Sequence, residues 1–223
     1  MGVIQRSLQK LCSQYMSGEF DVISPVSVLR DLVDCEPSFG SGEQHDAQEC
    51  LSIFCGTEAT GIADAFCASH GGAEHGGVLL CELGVDARVS GLAAPVNLNA
   101  LIISTLTGDR ALATAPKLLL LRIENIYEEL GEQYFVDAKV DLSMGVYDLA
   151  GCIAGDRPTT RYTVRGYVQH RHGLEPPANG MACGHYVAYC RRGDAWFCAD
   201  DASVAVGITS GDIPFFGFLV GAH

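Results

Sequence analysis

The sequence predicts an α+β fold, with helices first and a mostly antiparallel sheet after them. Three observations carry that expectation. Apolar residues recur at helical spacing near the start of the chain, as in Ile4, Leu8, Leu11 and Tyr15. Later the apolar segments shorten and turn to period two, as in Tyr162, Val164, Gly166 and Val168. Strand-like and helix-like segments do not alternate, which separates this pattern from a parallel βαβ sheet.

Ile4 to Tyr15 reads as a first helix, with Gln5, Arg6, Gln9 and Lys10 off its apolar face. Ser24-Pro25 suits the start of a second, because proline fits the first helical position, and Val26 to Leu32 follows. Cys35 to Gly42 is turn-rich. A third helix is expected from His45 to Phe54, with Ala47, Cys50, Leu51 and Phe54 on one side. Ile62 to Ser69 reads as short helix or extended chain, and Gly71 to Gly77 as a flexible loop. Val78 to Leu83 and Val85 to Leu92 resemble two strands. Val96 to Leu106 fits either a helix or a buried extended segment, and periodicity leaves both open.

Pro116 to Ile123 is short, apolar and proline-led, hence a buried strand. Gln133 to Leu142 alternates as a further strand, and Tyr147 to Ile153 reads as extended or turn-like. The strand through Tyr162 and Val168 leads to a loop, His172 to Met181, that holds Pro176-Pro177 and Asn179-Gly180. Short strands begin at Val204 and Phe215.

Composition narrows the function. Of the 223 residues, 27 are acidic and 14 basic, and the net charge of -13 argues against nucleic acid or an anionic membrane surface as partner. A basic protein surface suits it better. Hydrophobic residues make up 48%, and a chain of this length buries roughly 70% of its unfolded surface without staples. The ten cysteines include no CxxC pair, which favours a reducing compartment over a disulfide framework. No signal-peptide pattern and no apolar run of membrane length is read. An intracellular setting, cytoplasm or nucleus, is therefore expected. Cys67, His70, His75 and Cys81 lie near one glycine-rich run, but their spacing is not that of an ordinary zinc site. No metal and no cofactor are expected.

Chemistry concentrates between Gly184 and Asp201, GHYVAYCRRGDAWFCADD. Val187 and Tyr189 alternate with smaller or polar neighbours, Arg191 to Asp194 makes a charged turn, and Trp196 and Cys198 resume the alternation. A hairpin of this kind brings its ends together. His185 and Asp200, fifteen positions apart, thereby become candidate neighbours, and a carboxylate beside an imidazole is the orienting half of a nucleophilic triad.

These segments, taken with others, resemble the ubiquitin-specific proteases of the papain-like cysteine peptidase group. Glu43 to Leu51, EQHDAQECL, resembles that family's QQDAQEFL segment, with His45 and Cys50 as departures. Pro116 to Ile123 loosely resembles a family strand, and His170 with Gly173 the approach to the histidine box. Gly184-His185-Tyr186 matches the box itself, and Trp196, Asp200, Asp201 and Val204 its W-x-x-x-D-D-x-x-V ending. The resemblance implies one domain over residues 1–223, with a helical thumb over about 1–66 and reduced fingers and an antiparallel-sheet palm over about 71–223. The fingers are reduced because Gly71 to Leu106 holds no CxxC pair. It also implies His185 as general base, Asp200 as its orienter and Asp201 in a secondary role, structural or near the oxyanion. Asp46, Gln44, Tyr186 and Gly184 become substrate-binding positions along a narrow groove for the C-terminal tail of ubiquitin or a ubiquitin-like protein. A protein scaffold is the other implied partner.

The nucleophile is the point of departure. The family's cysteine box runs into V-L-Q-x-L, which Ser7-Leu8-Gln9-Lys10-Leu11 resembles. Counting back places the nucleophile at about Gly2, which has no side chain. Cys12 stands roughly 15 Å further along the same helix. Cys183 adjoins the base on a strand and is poorly aimed. The resemblance thus implies a domain inactive as given, which binds or scaffolds. The alternative is a truncated or altered form of an active thiol-dependent deubiquitinase that hydrolyses isopeptide bonds after the ubiquitin Gly-Gly terminus.

Overall fold

A computed structural model describes residues 3–19, 22–43, 45–56, 68–70, 73–75, 79–82, 96–108, 111–112, 115, 118–124, 126–129, 132–135, 140–141, 145–154, 160–172, 184–207 and 218–222. The chain divides into two compact units, Met1–Phe66 and Cys67–His223.

The first unit is helical. Helices α1 (Val3–Ser17) and α2 (Val26–Cys35) pack on each other, and their buried residues are Ile4, Val28 and Leu32. Helix α2 starts one residue later than the sequence suggests. Pro25 takes the capping position, and its carbonyl accepts from the Leu29 N–H at 3.0 Å. Glu36 then leaves helical geometry, and its carboxylate accepts from the Ser38 hydroxyl at 2.9 Å, opening a single 3₁₀ turn, Pro37–Gly40. Helix α3 is Ala47–Gly56.

The second unit begins with strands β1 (Ala68–His70) and β2 (Ala73–His75), paired antiparallel with His70 opposite Ala73. The loop expected over 71–77 is thus partly strand. The intervening Gly71-Gly72 is a dipeptide favoured by two-residue hairpins, a signal that the glycine-rich composition obscures. Strand β3 is Leu79–Glu82, and the strand expected over 85–92 lies outside the described residues. Strand β4 (Val96–Asn97) leads into helix α4 (Leu98–Thr105), which settles the ambiguity of 96–106. The Asn97 side chain accepts from the Ala100 N–H at 3.0 Å, an N-cap. Periodicity could not decide because α4 buries Leu98, Leu101, Ile102 and Thr105 on one side but carries the apolar Ala100 and Ile103 on the exposed one.

The remaining strands are β5 (Leu118–Glu124), β6 (Ile126–Glu129), β7 (Glu132–Phe135), β8 (Val140–Asp141), β9 (Val146–Asp148), β10 (Arg161–His172), β11 (Gly184–Arg192), β12 (Ala195–Asp200), β13 (Ser203–Val206) and β14 (Phe218–Ala222). Among the described residues the main sheet has the order β13-β12-β11-β10-β14-β5-β3, and β9 also pairs with β10. Its neighbours are antiparallel except β3 beside β5. Strands β6 and β7 form a hairpin that the sequence reading did not separate, and β4 pairs with β8.

The core lies against this sheet. Leu98 and Ile102 of α4 join Leu119, Leu121, Tyr162 and Val187 in one buried cluster. Strand β10 keeps one inward side from Tyr162 to Gln169 only because it carries a bulge. Val164 pairs with Gly221 but Gly166 pairs with Val220, so one extra residue, the exposed Arg165, is accommodated. Tyr162 and Val164 are buried before it, and Tyr167 and Gln169 after it. Glycine is required at 166, because a Cβ there would stand 2.8 Å from the Tyr189 carbonyl oxygen.

Candidate active site

Strands β11 and β12 build the site. Ala188 pairs with Ala199, so Val187 stands level with Asp200 on the same face of the sheet. His185 lies two residues before Val187 and shares that face. His185 and Asp200 are therefore diagonal neighbours, within reach of long side chains. The His185 Nε2 and Asp200 Oδ1 atoms are 2.5 Å apart, and the two side chains are 43% and 36% exposed. The pair sits at the rim of the buried face, since Val187 and Cys198 behind it are buried.

Asp201 follows in the two-residue turn between β12 and β13, with Asp200 opposite Ser203. Its φ of 49° lies in the left-handed region, which aspartate tolerates better than most residues. Donor atoms of His185, Asp200 and Asp201 all fall within 4.8 Å of one another. Gly184 opens β11 opposite His172, and Tyr186, half-buried, pairs with His170.

Further along the same face an aromatic shelf stiffens the hairpin. Tyr167 and Tyr189 stack with centroids 4.4 Å apart, and Trp196 tilts against Tyr167 at 5.7 Å. The Tyr189 hydroxyl donates to the buried Gln169 Oε1 at 3.2 Å. Sequence reasoning passed over Gln169. Its signal is the alternation that restarts after the bulge, which places a polar residue on an inward position, where it needs a partner.

Asp46 belongs to the helical unit. It immediately precedes α3, and its carbonyl accepts from the Cys50 N–H at 3.3 Å. His45, a departure from the motif, has a local packing role, with its ring 4.6 Å from that of Phe39 and its Nε2 3.4 Å from the Ser41 hydroxyl. Burial pushes the Cys50 thiol up from its ordinary value, which works against thiolate chemistry there. Cys12 is exposed on α1. Gly2, Gln44 and Cys183 lie outside the described residues.

The ubiquitin carboxyl-terminal hydrolase family model matches residues 3–210. The chain belongs to the ubiquitin carboxyl-terminal hydrolase family. No curated protein matches this hydrolase-family chain in sequence. Among solved structures, the Ubp8–Sgf11–Sgf73–Sus1 SAGA DUB module matches with a TM-score of 0.64 at 14% identity, over 98% of this chain and 57% of that one. The same module bound to ubiquitin aldehyde gives 0.62 at 13%, over 99% and 65%. A variant bound to monoubiquitin gives 0.64 at 13%, over 99% and 58%. At these identities the likeness concerns the fold, which is α+β with the helices and antiparallel sheet of the hydrolase family. This chain spans about three fifths of the length of the solved chains it matches. Among the described residues, no helix is long and apolar enough to cross a membrane.

Proposed function

We propose that this chain is a hydrolase-family domain that binds ubiquitin or a ubiquitin-like protein without cleaving it. One contrast carries the reading: His185 and Asp200 are paired at 2.5 Å, whereas Gly2 stands at the register position of the thiol. With Nε2 held by Asp200, Nδ1 is the nitrogen left to take a proton from a nucleophile. Glycine supplies neither that proton nor an attacking atom.

Recognition needs none of this. Asp46 and Gln44 in the helical unit, and Gly184 and Tyr186 in the sheet unit, are the positions that the family resemblance assigns to binding an extended C-terminal tail. Asp201 takes a secondary role, structural in this reading and on the oxyanion side in a form that cleaves. The whole of residues 1–223 acts as one domain in this reading, with a helical thumb over about 1–66 and reduced fingers and palm over about 71–223, in cytoplasm or nucleus. The ubiquitin-bound SAGA modules support ubiquitin as the ligand class, and their Sgf11, Sus1 and Sgf73 partners support a scaffold role. The net charge of -13 favours a basic partner.

Titration with ubiquitin followed by NMR tests the binding. Weak binding is expected, with shifts around Asp46 and an affinity about tenfold lower in Asp46→Ala, or ~1.4 kcal/mol. No shifts on either protein would count against it. The chain should form no adduct with a ubiquitin C-terminal electrophile, and covalent capture sinks the claim of inactivity. The intact His185–Asp200 pair favours a second reading, a shortened or altered form of an active deubiquitinase. Under that reading Gly2→Cys gains adduct formation that is lost again when His185→Ala is added.

A further inference from the structure

We propose that His185, Asp200 and Asp201 bind a divalent first-row transition ion of the zinc class. The inference goes beyond ubiquitin recognition and does not depend on it. It rests on three donors that the hairpin brings together, one imidazole nitrogen and two carboxylate oxygens, all within 4.8 Å of one another.

The donor set fits the ion. Zinc takes histidine nitrogen and carboxylate oxygen at about 2.0–2.2 Å, so ligands on one ion stand roughly 3–3.5 Å apart. The His185–Asp200 pair, now at 2.5 Å, opens slightly, and the Asp201 carboxylate closes inward. Neither movement meets a packed core. His185 and Asp200 are both more than a third exposed, and Asp201 is exposed on a turn. The backbone that presents them is fixed, since β11 and β12 carry the buried Val187 and Cys198 just behind.

Charge points the same way. Asp200 and Asp201 are adjacent carboxylates, and among the described residues no lysine or arginine forms an ion pair with Asp201. A cation relieves their mutual repulsion. When the ion takes Nε2, a ring proton has only Nδ1 to sit on, and Asp200 loses its hydrogen bond to Nε2. The bound ion thereby removes both the lone pair and the orienting bond that a general base requires. A divalent cation and a thiol-derived proton are thus alternative occupants of one imidazole.

Cobalt(II) titration of the 223-residue chain tests the site. Its visible absorption reports coordination, and a sulfur-to-cobalt charge-transfer band separates thiolate ligation at the ten cysteines from nitrogen and oxygen ligation. One cobalt per chain is expected, without the thiolate band and displaced by one equivalent of zinc. Affinity should fall at least about a hundredfold in His185→Gln and about tenfold in Asp201→Asn. Asp194→Asn, on the neighbouring exposed turn, should leave it unchanged. No uptake at millimolar cobalt, uptake only with the thiolate band, or affinity unchanged in Asp201→Asn each overturns the proposal. Asp201→Asn alters an exposed turn residue, so it decides the matter even if His185→Gln fails to fold. A chain that takes up cobalt this way yet shifts no ubiquitin resonance keeps the metal site and loses the ubiquitin reading.

Discussion

The two units each place a glycine where a side chain would not fit, and the neighbours differ. In the helical unit, a Cβ on Gly40 would stand 2.9 Å from the Val33 Cγ1. In the sheet unit, a Cβ on Gly166 would stand 2.8 Å from the Tyr189 carbonyl oxygen. A valine methyl can turn aside. A carbonyl oxygen in a strand ladder cannot move without its strand. The described core residues show the same contrast. The sheet unit's buried cluster runs through α4 and the strands, whereas α1 and α2 bury Ile4, Val28 and Leu32 and leave Tyr15, Met16, Val26 and Leu29 exposed. Chemistry that needs positions fixed to a fraction of an ångström belongs on the first kind of support, and His185, Asp200 and Asp201 are found there.

The sharpest way to break this contrast is to hollow out the sheet. Leu121 is fully buried, and Leu121→Ala should cost about 2–5 kcal/mol in chemical denaturation and loosen the Tyr167–Tyr189 stack, visible as lost near-UV circular dichroism. Gly166→Ala should follow at about 1–3 kcal/mol, as over-packing does where nothing yields. Gly40→Ala should cost less than about 1 kcal/mol, because the close atom is the end of a half-buried valine side chain and not backbone. Equal losses for the two glycine variants would erase the distinction between the units.

The smallest effect concerns Asp148, whose carboxylate accepts from the Thr160 hydroxyl at 2.8 Å and the Ala150 N–H at 2.9 Å. The Thr160 hydrogen bond, followed by that of Ala150, holds its carboxyl below the ordinary range. The folded value is thus lower than the unfolded one. The resulting stabilisation is present above the ordinary carboxylate value of about 4 and is lost as pH falls through the lower folded value. Thr160→Val should bring the Asp148 titration, followed by carboxyl carbon NMR, back towards ordinary behaviour. An unmoved titration would mean that the hydroxyl contributes nothing.

Legibility from sequence differed between the units for physical reasons. Helices α1, α2 and α3 are amphipathic or carry start signals, so their positions are readable to within three residues. The hairpin of β11 and β12 announced itself by alternation on either side of Gly193-Asp194. Helix α4 was undecided because its exposed side carries the apolar Ala100 and Ile103, so no polar face sets off its buried stripe, and its deciding mark was a single capping residue, Asn97. The β6–β7 hairpin was missed because Ile126 to Phe135 is rich in glutamate, which masks the alternation of Tyr127 and Tyr134 across the pair. At the site, the closeness of His185 and Asp200 was legible as hairpin spacing. The shared face, the left-handed Asp201 and the buried Gln169 depend on register, which the bulge in β10 resets and no local pattern declares.

That bulge works like an inserted letter in a frame of two. Downstream of it every residue of β10 has exchanged sides relative to the count from Tyr162, and β11 is zipped to the shifted half from Gly166–Cys190 to His172–Gly184. Without the bulge Arg165 would take an ordinary strand position and turn Tyr167 and Gln169 outward while Val168 turned in. β11 would then have to give up either its partner or its burial, and His185 would go with it. The segment is therefore constrained in backbone form before it is constrained in identity. Arg165 is absorbed by that bulge, twenty positions before the histidine whose side of the sheet the bulge preserves.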